Sequence, residues 1–441
     1  MDNVEERVPL IEGKISFSTR YAYALGHIFN DLAAAMWFSY TLLFLQRVSL
    51  LDPIVAGSLL LLGQIVDALM TPVFGILVDK YAKKKIWHVI GSIMVTFSFP
   101  IIFGSFVNPR NPTTMMTLSV ISIIVFQTGW AAVQISHLSM IPALTNSPIV
   151  RADLTAIRYS AQVGAAVLVF IVTWVLLPNS EDSVVRLGVQ DAGKFRNIVL
   201  VLTIIGIAAT IFFHIFLKAR LLEDTSSKVN NDHISRFNSS SNRRRSWIGT
   251  SILLRVALLY VASRLFLTLA TVYLPLFIEE IDVGGKQALA TVPLVSYLSS
   301  FMSSLLLKYM NRSCGTKVCY LLGALIGILA AIVIEFAGSN AAVMYSVAIL
   351  IGAGSSITMV TALSVTAELI GSRTDRSAFV YSIVTFLDKV VTGLVVILIE
   401  KWRCQQKELC PTYNRDTLSI VCASSMLLGL ITLVTITRCF T

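Results

Sequence analysis

Apolar runs of about 20 residues alternate with short polar breaks along the whole 441-residue chain. A hydrocarbon layer about 30 Å thick is crossed by a helix of about that length. Lipid offers no partner to a free backbone N–H or C=O, so each run is expected to be a helix and not a loop. The pattern predicts spans at 21–47, 54–78, 86–107, 115–140, 156–177, 197–217, 250–278, 287–308, 317–337, 341–367, 378–400 and 416–438. That is an all-α membrane protein with twelve transmembrane helices. Residues 1–20 are polar and mixed in charge, without the basic–apolar–small order of a cleavable leader. They read as a cytosolic tail.

Composition sharpens this. Hydrophobic residues make up 55% of the chain, charged residues only 14%, and the mean hydropathy is +0.76. A soluble protein carries about 25% charged residues, so a water-facing surface is excluded. The net charge is +10, and the basic residues are bunched. Arg7, Lys14 and Arg20, then Lys80 and Lys83 to Lys85, Arg151, the 218–249 segment, Lys308, Arg312, Lys317, Arg373, Arg376 and Arg438 all fall on one side of a twelve-span chain. The positive-inside rule makes that side, and both termini, cytosolic. Anionic lipid at that face accounts for the charge without nucleic acid. Of six cysteines, Cys404 and Cys410 share the 401–415 loop and are candidates for a local bridge. No histidine stands nearby to complete a zinc site. No nucleophile–base pair, phosphate loop or cofactor motif suggests an enzyme.

The segment 218–249, with Ser239 to Ser241 and Arg243 to Arg245, is polar and reads as a cytosolic linker. It divides the chain into six-helix bundles at 21–217 and 250–438. Leu138-Ser139, Leu144, Ser147 and Arg151 recur 225 positions on as Leu363-Ser364, Leu369, Ser372 and Arg376. Both copies fall at the cytosolic end of the fourth span of their half. Parallel repeats of this kind place a substrate near mid-membrane between the halves. Between spans 2 and 3, Gly75, Asp79, Lys80 and Lys83 follow the order glycine, three residues, aspartate, basic cluster. Gly75 permits close helix approach and Asp79 can pair across the halves, which suits a rocking gate. Ala82 departs from that loop pattern, and the corresponding stretch at 308–317 lacks the acid.

Ionisable groups inside spans cost about 2.5–3.5 kcal/mol each on insertion scales, so each needs a partner, water or ligand. Span 1 carries His27, Asn30 and Asp31 on one face. Gln64 and Asp67 lie one turn apart in span 2, and Gln127, Gln134 and His137 share a face of span 4. Arg158 opens span 5, where it could also snorkel to the interface. In the second half Arg255 and Arg264 lie in span 7, Glu335 near the end of span 9, and Asp388 with Lys389 in span 11. Trp37, Tyr40 and Trp130 read as packing. A cavity lined by groups of both signs from both halves suits a zwitterion or small polar solute.

The stretches Gly26-His27-Ile28-Phe29-Asn30-Asp31-Leu32, Leu61-Leu62-Gly63-Gln64-Ile65-Val66-Asp67, Gln134-Ile135-Ser136-His137 through Leu144, and Phe386-Leu387-Asp388-Lys389 are distinctive. The chain resembles, over nearly its whole length, an animal branch of the major facilitator superfamily related to the glycoside–pentoside–hexuronide:cation symporters. Where that family has a proline–acid–leucine…arginine segment after span 4, this chain has Ala143 in the acid's place, and the second copy keeps Glu368. The resemblance implies the two-repeat transporter fold and gating roles for Gly75, Asp79, Lys83, Arg151, Glu368 and Arg376, to which Arg158 is added from its place at the start of span 5. It also implies import of cysteine into lysosomes, and into melanosomes in pigment cells. Glu6, Leu10 and Ile11 then read as an acidic dileucine-type sorting signal for a clathrin adaptor. The alternatives are a cation-coupled sugar symporter on the same fold and a non-transporting scaffold or sensor signalling through 218–249.

Overall fold

The computed structural model describes residues 16–81, 83–104, 112–144, 148–177, 187–217, 250–282, 284–336, 340–370, 377–403 and 410–437. These are helical almost throughout. In chain order they form α1 (Phe17–Leu25), α2 (Ile28–Leu43), α3 (Pro53–Tyr81), α4 (Lys84–Gly104), α5 (Pro112–Leu138), the short α6 (Met140–Leu144), α7 (Pro148–Leu176) and α8 (Ala192–Phe216). The second half comprises α9 (Thr250–Ile281), α10 (Ala288–Cys314), α11 (Thr316–Glu335), α12 (Ala341–Ile370), α13 (Ser377–Lys401) and α14 (Tyr413–Thr437). With α1 and α2 taken together as the first span and α6 as a cap on the fourth, these are the expected twelve. Among the described residues, 10 helices are long and apolar enough to cross a membrane, and Ser160–Leu176 is a shorter apolar one.

The outside of the bundle is apolar. Phe97, Ile204, Ile215 and Ile431 are each more than half exposed, a surface that water would not tolerate and lipid does. Prolines sit inside α3 (Pro72), α4 (Pro100), α9 (Pro275) and α10 (Pro293). Packed neighbours make such breaks in the backbone ladder tolerable in a membrane.

The halves are built alike. Within the first, α4 packs closely on α5 at two glycines: a Cβ on Gly91 would lie 2.7 Å from the Gly129 carbonyl oxygen, and one on Gly129 2.8 Å from that of Gly91. At the equivalent contact of the second half, a Cβ on Gly354 of α12 would lie 3.1 Å from the Gly327 nitrogen and 3.2 Å from the Gly323 oxygen of α11. Lipid gives helices no hydrophobic reason to associate, so close backbone approach at small residues holds both pairs. The halves meet along α3–α13, α7–α10 and α2–α9.

Two expectations are corrected. The first span is not one helix: it breaks at Gly26 and His27, and a π-turn at Phe44–Val48 follows α2. Gly26 is pressed against the rings of Phe213 and His137, to within 2.6 and 2.9 Å of where a Cβ would stand. The hydrogen bond across the break, from the His27 nitrogen to the Ala24 oxygen, stretches to 3.5 Å. Between spans 8 and 9 the expected loop shrinks to Gly315, whose φ of +79° is a conformation that glycine adopts at little cost.

The end of the bundle where 218–249 attaches is called the linker face, and the opposite end the far face.

Candidate functional site

Three groups of polar side chains occupy the interior. The first lies at mid-depth on the seam between halves. Asp67, midway along α3, pairs with Lys389 of α13 at 2.6 Å. Lys389 also donates to the Thr71 hydroxyl, one turn toward the linker face, at 3.3 Å. Its neighbour Asp388 points elsewhere, as adjacent helical residues must, and takes a hydrogen bond from Arg264 of α9 at 3.0 Å. The Arg264 side chain is 27% exposed and that of Lys389 16%. Each therefore retains an open edge while held by a carboxylate. Gln64 lies beside them on α3, its Cβ 3.6 Å from where one on Gly393 of α13 would stand.

The second group lies inside the first half. The α1–α2 break turns His27 and Asp31 into the first turn of a new helix, where the backbone dipole favours an anion. His27 Nδ1 lies 2.8 Å from Asp31 Oδ1, and Arg158 Nη2 of α7 lies 3.1 Å from His27 Nε2. Arg158 Nη2 also lies 3.3 Å from His27 Nδ1, so the imidazole stands between the Asp31 carboxylate and the Arg158 guanidinium. Asn30 Nδ2 donates to the Trp130 carbonyl at 3.2 Å, and Trp130 Nε1 donates to Gln134 Oε1 at 2.9 Å. Gln127 faces α3, its Nε2 3.1 Å from where a Cβ on Gly63 would lie. Asn30 Oδ1, Asp31 Oδ2, His137 Nδ1 and Arg158 Nε are buried without a partner, as in a site finished by water, a proton or a ligand.

The third group seals the far face, and sequence reasoning did not single it out. Four contacts there cross between halves. Lys286 Nζ reaches both carboxylate oxygens of Asp191, at 3.0 and 2.9 Å. Arg47 pairs with Glu279 at 2.5 Å, Gln46 Nε2 donates to Glu400 at 2.8 Å, and the Tyr40 hydroxyl donates to the Leu289 carbonyl at 2.9 Å. Glu400 is a hub, also accepting from Tyr273 at 2.8 Å and from Arg403 Nε and Nη2 at 2.6 and 2.9 Å. Asp191 is steadied within its own half by Lys194 at 3.0 Å and the Gly188 nitrogen at 3.1 Å. These residues stand at span ends, where a charge looks like ordinary interfacial decoration. Only the fold brings the ends of five helices to one place.

The glycines along α3 and α13 differ in their surroundings. On the far-face half of α3 a Cβ on Gly57 would lie 3.1 Å from Glu400, and a Cβ on the facing Gly393 2.5 Å from Leu61. Gly75, further along α3 toward the linker face, has nothing within 4 Å of its Cβ position. Of the other gating candidates, Lys83 is exposed. Arg376 lies outside the described residues, as do the side chains of Asp79, Arg151 and Glu368. The sorting residues Glu6, Leu10 and Ile11 also lie outside them. Arg158 is not at the interface but hydrogen-bonded to His27. Glu335 is half exposed, 4.0 Å from Arg415, and Arg255 donates to the Thr435 carbonyl at 3.0 Å. Cys410 is disulfide-bonded, and Cys404 lies outside the described residues. No cluster of metal ligands occurs among the described residues.

Two six-helix repeats, a polar seam at mid-depth and a seal at one end are the architecture of a membrane transporter. The chain belongs to the MFS/sugar transport protein family, which matches residues 22–400. It is 35% identical over 415 residues to mouse Major facilitator superfamily domain-containing protein 12, an alignment covering 90% of this chain and 87% of the relative. The human protein of that name is 34% identical over 420 residues, with the same coverage. Among solved structures, a D-xylose-proton symporter superposes with a TM-score of 0.72 over 94% of this chain and 97% of its own, at 14% identity.

Proposed function

We propose that this transporter carries cysteine from the cytosol into the lysosome, or the melanosome in pigment cells, by alternating access linked to protons. The observation that carries this reading is the pair of ion pairs at mid-depth. Asp67–Lys389 and Arg264–Asp388 present two cations and two carboxylates within one partly open seam. A zwitterion can exchange partners with such a set: its carboxylate takes Lys389 or Arg264, and its ammonium takes Asp67 or Asp388. No net charge is then stranded in the membrane, which would cost several kcal/mol. A compact substrate suits the short distances between these groups. The resemblance to the lysosomal cysteine-importing branch supports the same solute.

The linker face is cytosolic in this reading, since the basic loops lie there. The seal then closes the lumenal end, and substrate enters from the cytosol. Glu6, Leu10 and Ile11 address the protein through a clathrin adaptor. The test is labelled cysteine uptake into purified lysosomes with and without the protein; equal uptake removes the claim. A second reading, a cation-coupled sugar symporter, is favoured by the description of the matching family. A competition panel separates the two: excess cystine and other amino acids against excess pentoses and disaccharides.

A further inference from the structure

A proline inside a helix has no N–H to give, so the carbonyl four residues earlier loses its helical donor. In α10 the proline is Pro293, and the carbonyl it frees is that of Leu289. Leu289 is fully buried, at 0% exposure. A buried carbonyl needs a partner, and here the partner comes from the other half. The Tyr40 hydroxyl of α2 reaches across the seam and donates to the Leu289 oxygen at 2.9 Å. Tyr40 is itself 0% exposed, and a buried phenol also has to place its O–H on an acceptor. The gap left in one helix and the hydroxyl carried by another thus satisfy each other.

α2 and the π-turn after it supply three of the four contacts that cross the far-face seal, through Tyr40, Gln46 and Arg47. Tyr40 precedes the other two by about 10 Å along that rod, at about 1.5 Å per residue, and so stands nearer mid-depth. The other three contacts each engage a carboxylate, of Asp191, Glu279 or Glu400. The Tyr40–Leu289 bond joins two neutral groups. Its surroundings are neutral as well: Phe170 and Thr173 of α7, Phe195 of α8 and Tyr297 of α10 stand around the Tyr40 side chain.

We infer that Pro293 creates, and Tyr40 fills, an uncharged latch that holds the far face closed. With that end closed, loss of the phenol leaves a buried acceptor without a donor, which penalises the closed state alone. With that end open, α2 and α10 part and water takes the place of the phenol on the Leu289 carbonyl. The latch belongs to the seal and is the same whichever solute the seam carries. A phenol titrates at about 10 and a backbone carbonyl not at all in this range, so the hold is equal in acidic and neutral surroundings.

The test is hydrogen exchange on the full chain in lipid nanodiscs, read at peptides covering 187–191. These lie in the first half, away from both substituted positions in sequence. Tyr40→Phe keeps the ring and removes only the donor; it is expected to speed exchange there on the order of tenfold. Pro293→Ala returns a backbone N–H to the Leu289 carbonyl and should by itself change the rate by less than about twofold. In that background Tyr40→Phe should lose its effect, again to within about twofold. Pro293→Gly restores the same N–H and replaces the alanine variant if that one does not fold. The ratio of Tyr40→Phe to wild type should match between acidic and neutral buffer. A Tyr40→Phe rate equal to wild type overturns the latch. An equal rise with and without Pro293 overturns the role of the proline, because the phenol would then serve something other than the freed carbonyl. An effect of Tyr40→Phe that disappears in acid overturns the uncharged hold and assigns it to the neighbouring carboxylates.

Discussion

Lys286→Met isolates one cross-seam bond of the far-face seal. The side chain keeps its apolar length and loses the ammonium that reaches both oxygens of Asp191. Asp191 is not left uncompensated, because Lys194 and the Gly188 nitrogen remain on it. The loss is therefore close to the interaction that distinguishes the sealed state from one open at that end. Lys286 and Asp191 are buried, at 7% and 0% exposure, so solvent screening takes little from the estimate. A hydrogen bond to a charged group contributes about 1.5–3 kcal/mol, and about 1.4 kcal/mol is a factor of ten. The far-face-open population should rise roughly 10- to 150-fold. Hydrogen exchange measures this directly, since slow amides exchange through such openings. Peptides covering 187–191 and 284–290 should exchange faster by that factor, with the linker-face ends of α4 and α8 unchanged. Far-face exchange equal to wild type, or a rise confined to the linker face, would refute the assignment of this contact as a seal.

Three further outcomes follow from the same coordinates. Asp67→Ala or Lys389→Ala should each abolish uptake and lower thermal stability by stranding a charge, whereas Asp67→Lys with Lys389→Asp should recover part of the stability; a double-mutant cycle by thermal melt should give a coupling of about 1–3 kcal/mol. Gly206→Ala should destabilise by about 1–3 kcal/mol, because its Cβ would fall 2.2 Å from the Phe29 ring; a melt unchanged within error would contradict the packing. Gly75→Leu, with open space at its Cβ, should leave the melt unchanged but slow transport if α3 and α13 close at the linker face; equal uptake rates would remove Gly75 from the gate.

The spans were legible because lipid sets both their length and their polarity. The charged residues of spans 2, 7 and 11 stood out because charge is costly there. Their partners were less legible. Asp388 and Lys389 are adjacent, and only helix phase against two different neighbours separates Arg264 from Asp67 as the respective partners. Asp31 looked equivalent to Asp67, but the break at Gly26 rotates it into the first half, against His27 and Arg158. That break has a weak local signature, one glycine in an apolar run, because its cause is the ring of Phe213 from a helix far away in sequence. The far-face seal was invisible for a related reason: Asp191, Glu279, Lys286 and Glu400 each sit at a span end, and no local pattern says which ends converge.

The broken first span also divides mechanical duty. α1 rests on α7 and α8, wholly within the first half, whereas α2 reaches across the seam to α9. The first half of the span is therefore anchored in its own bundle, and only the second half takes part in the contact between halves.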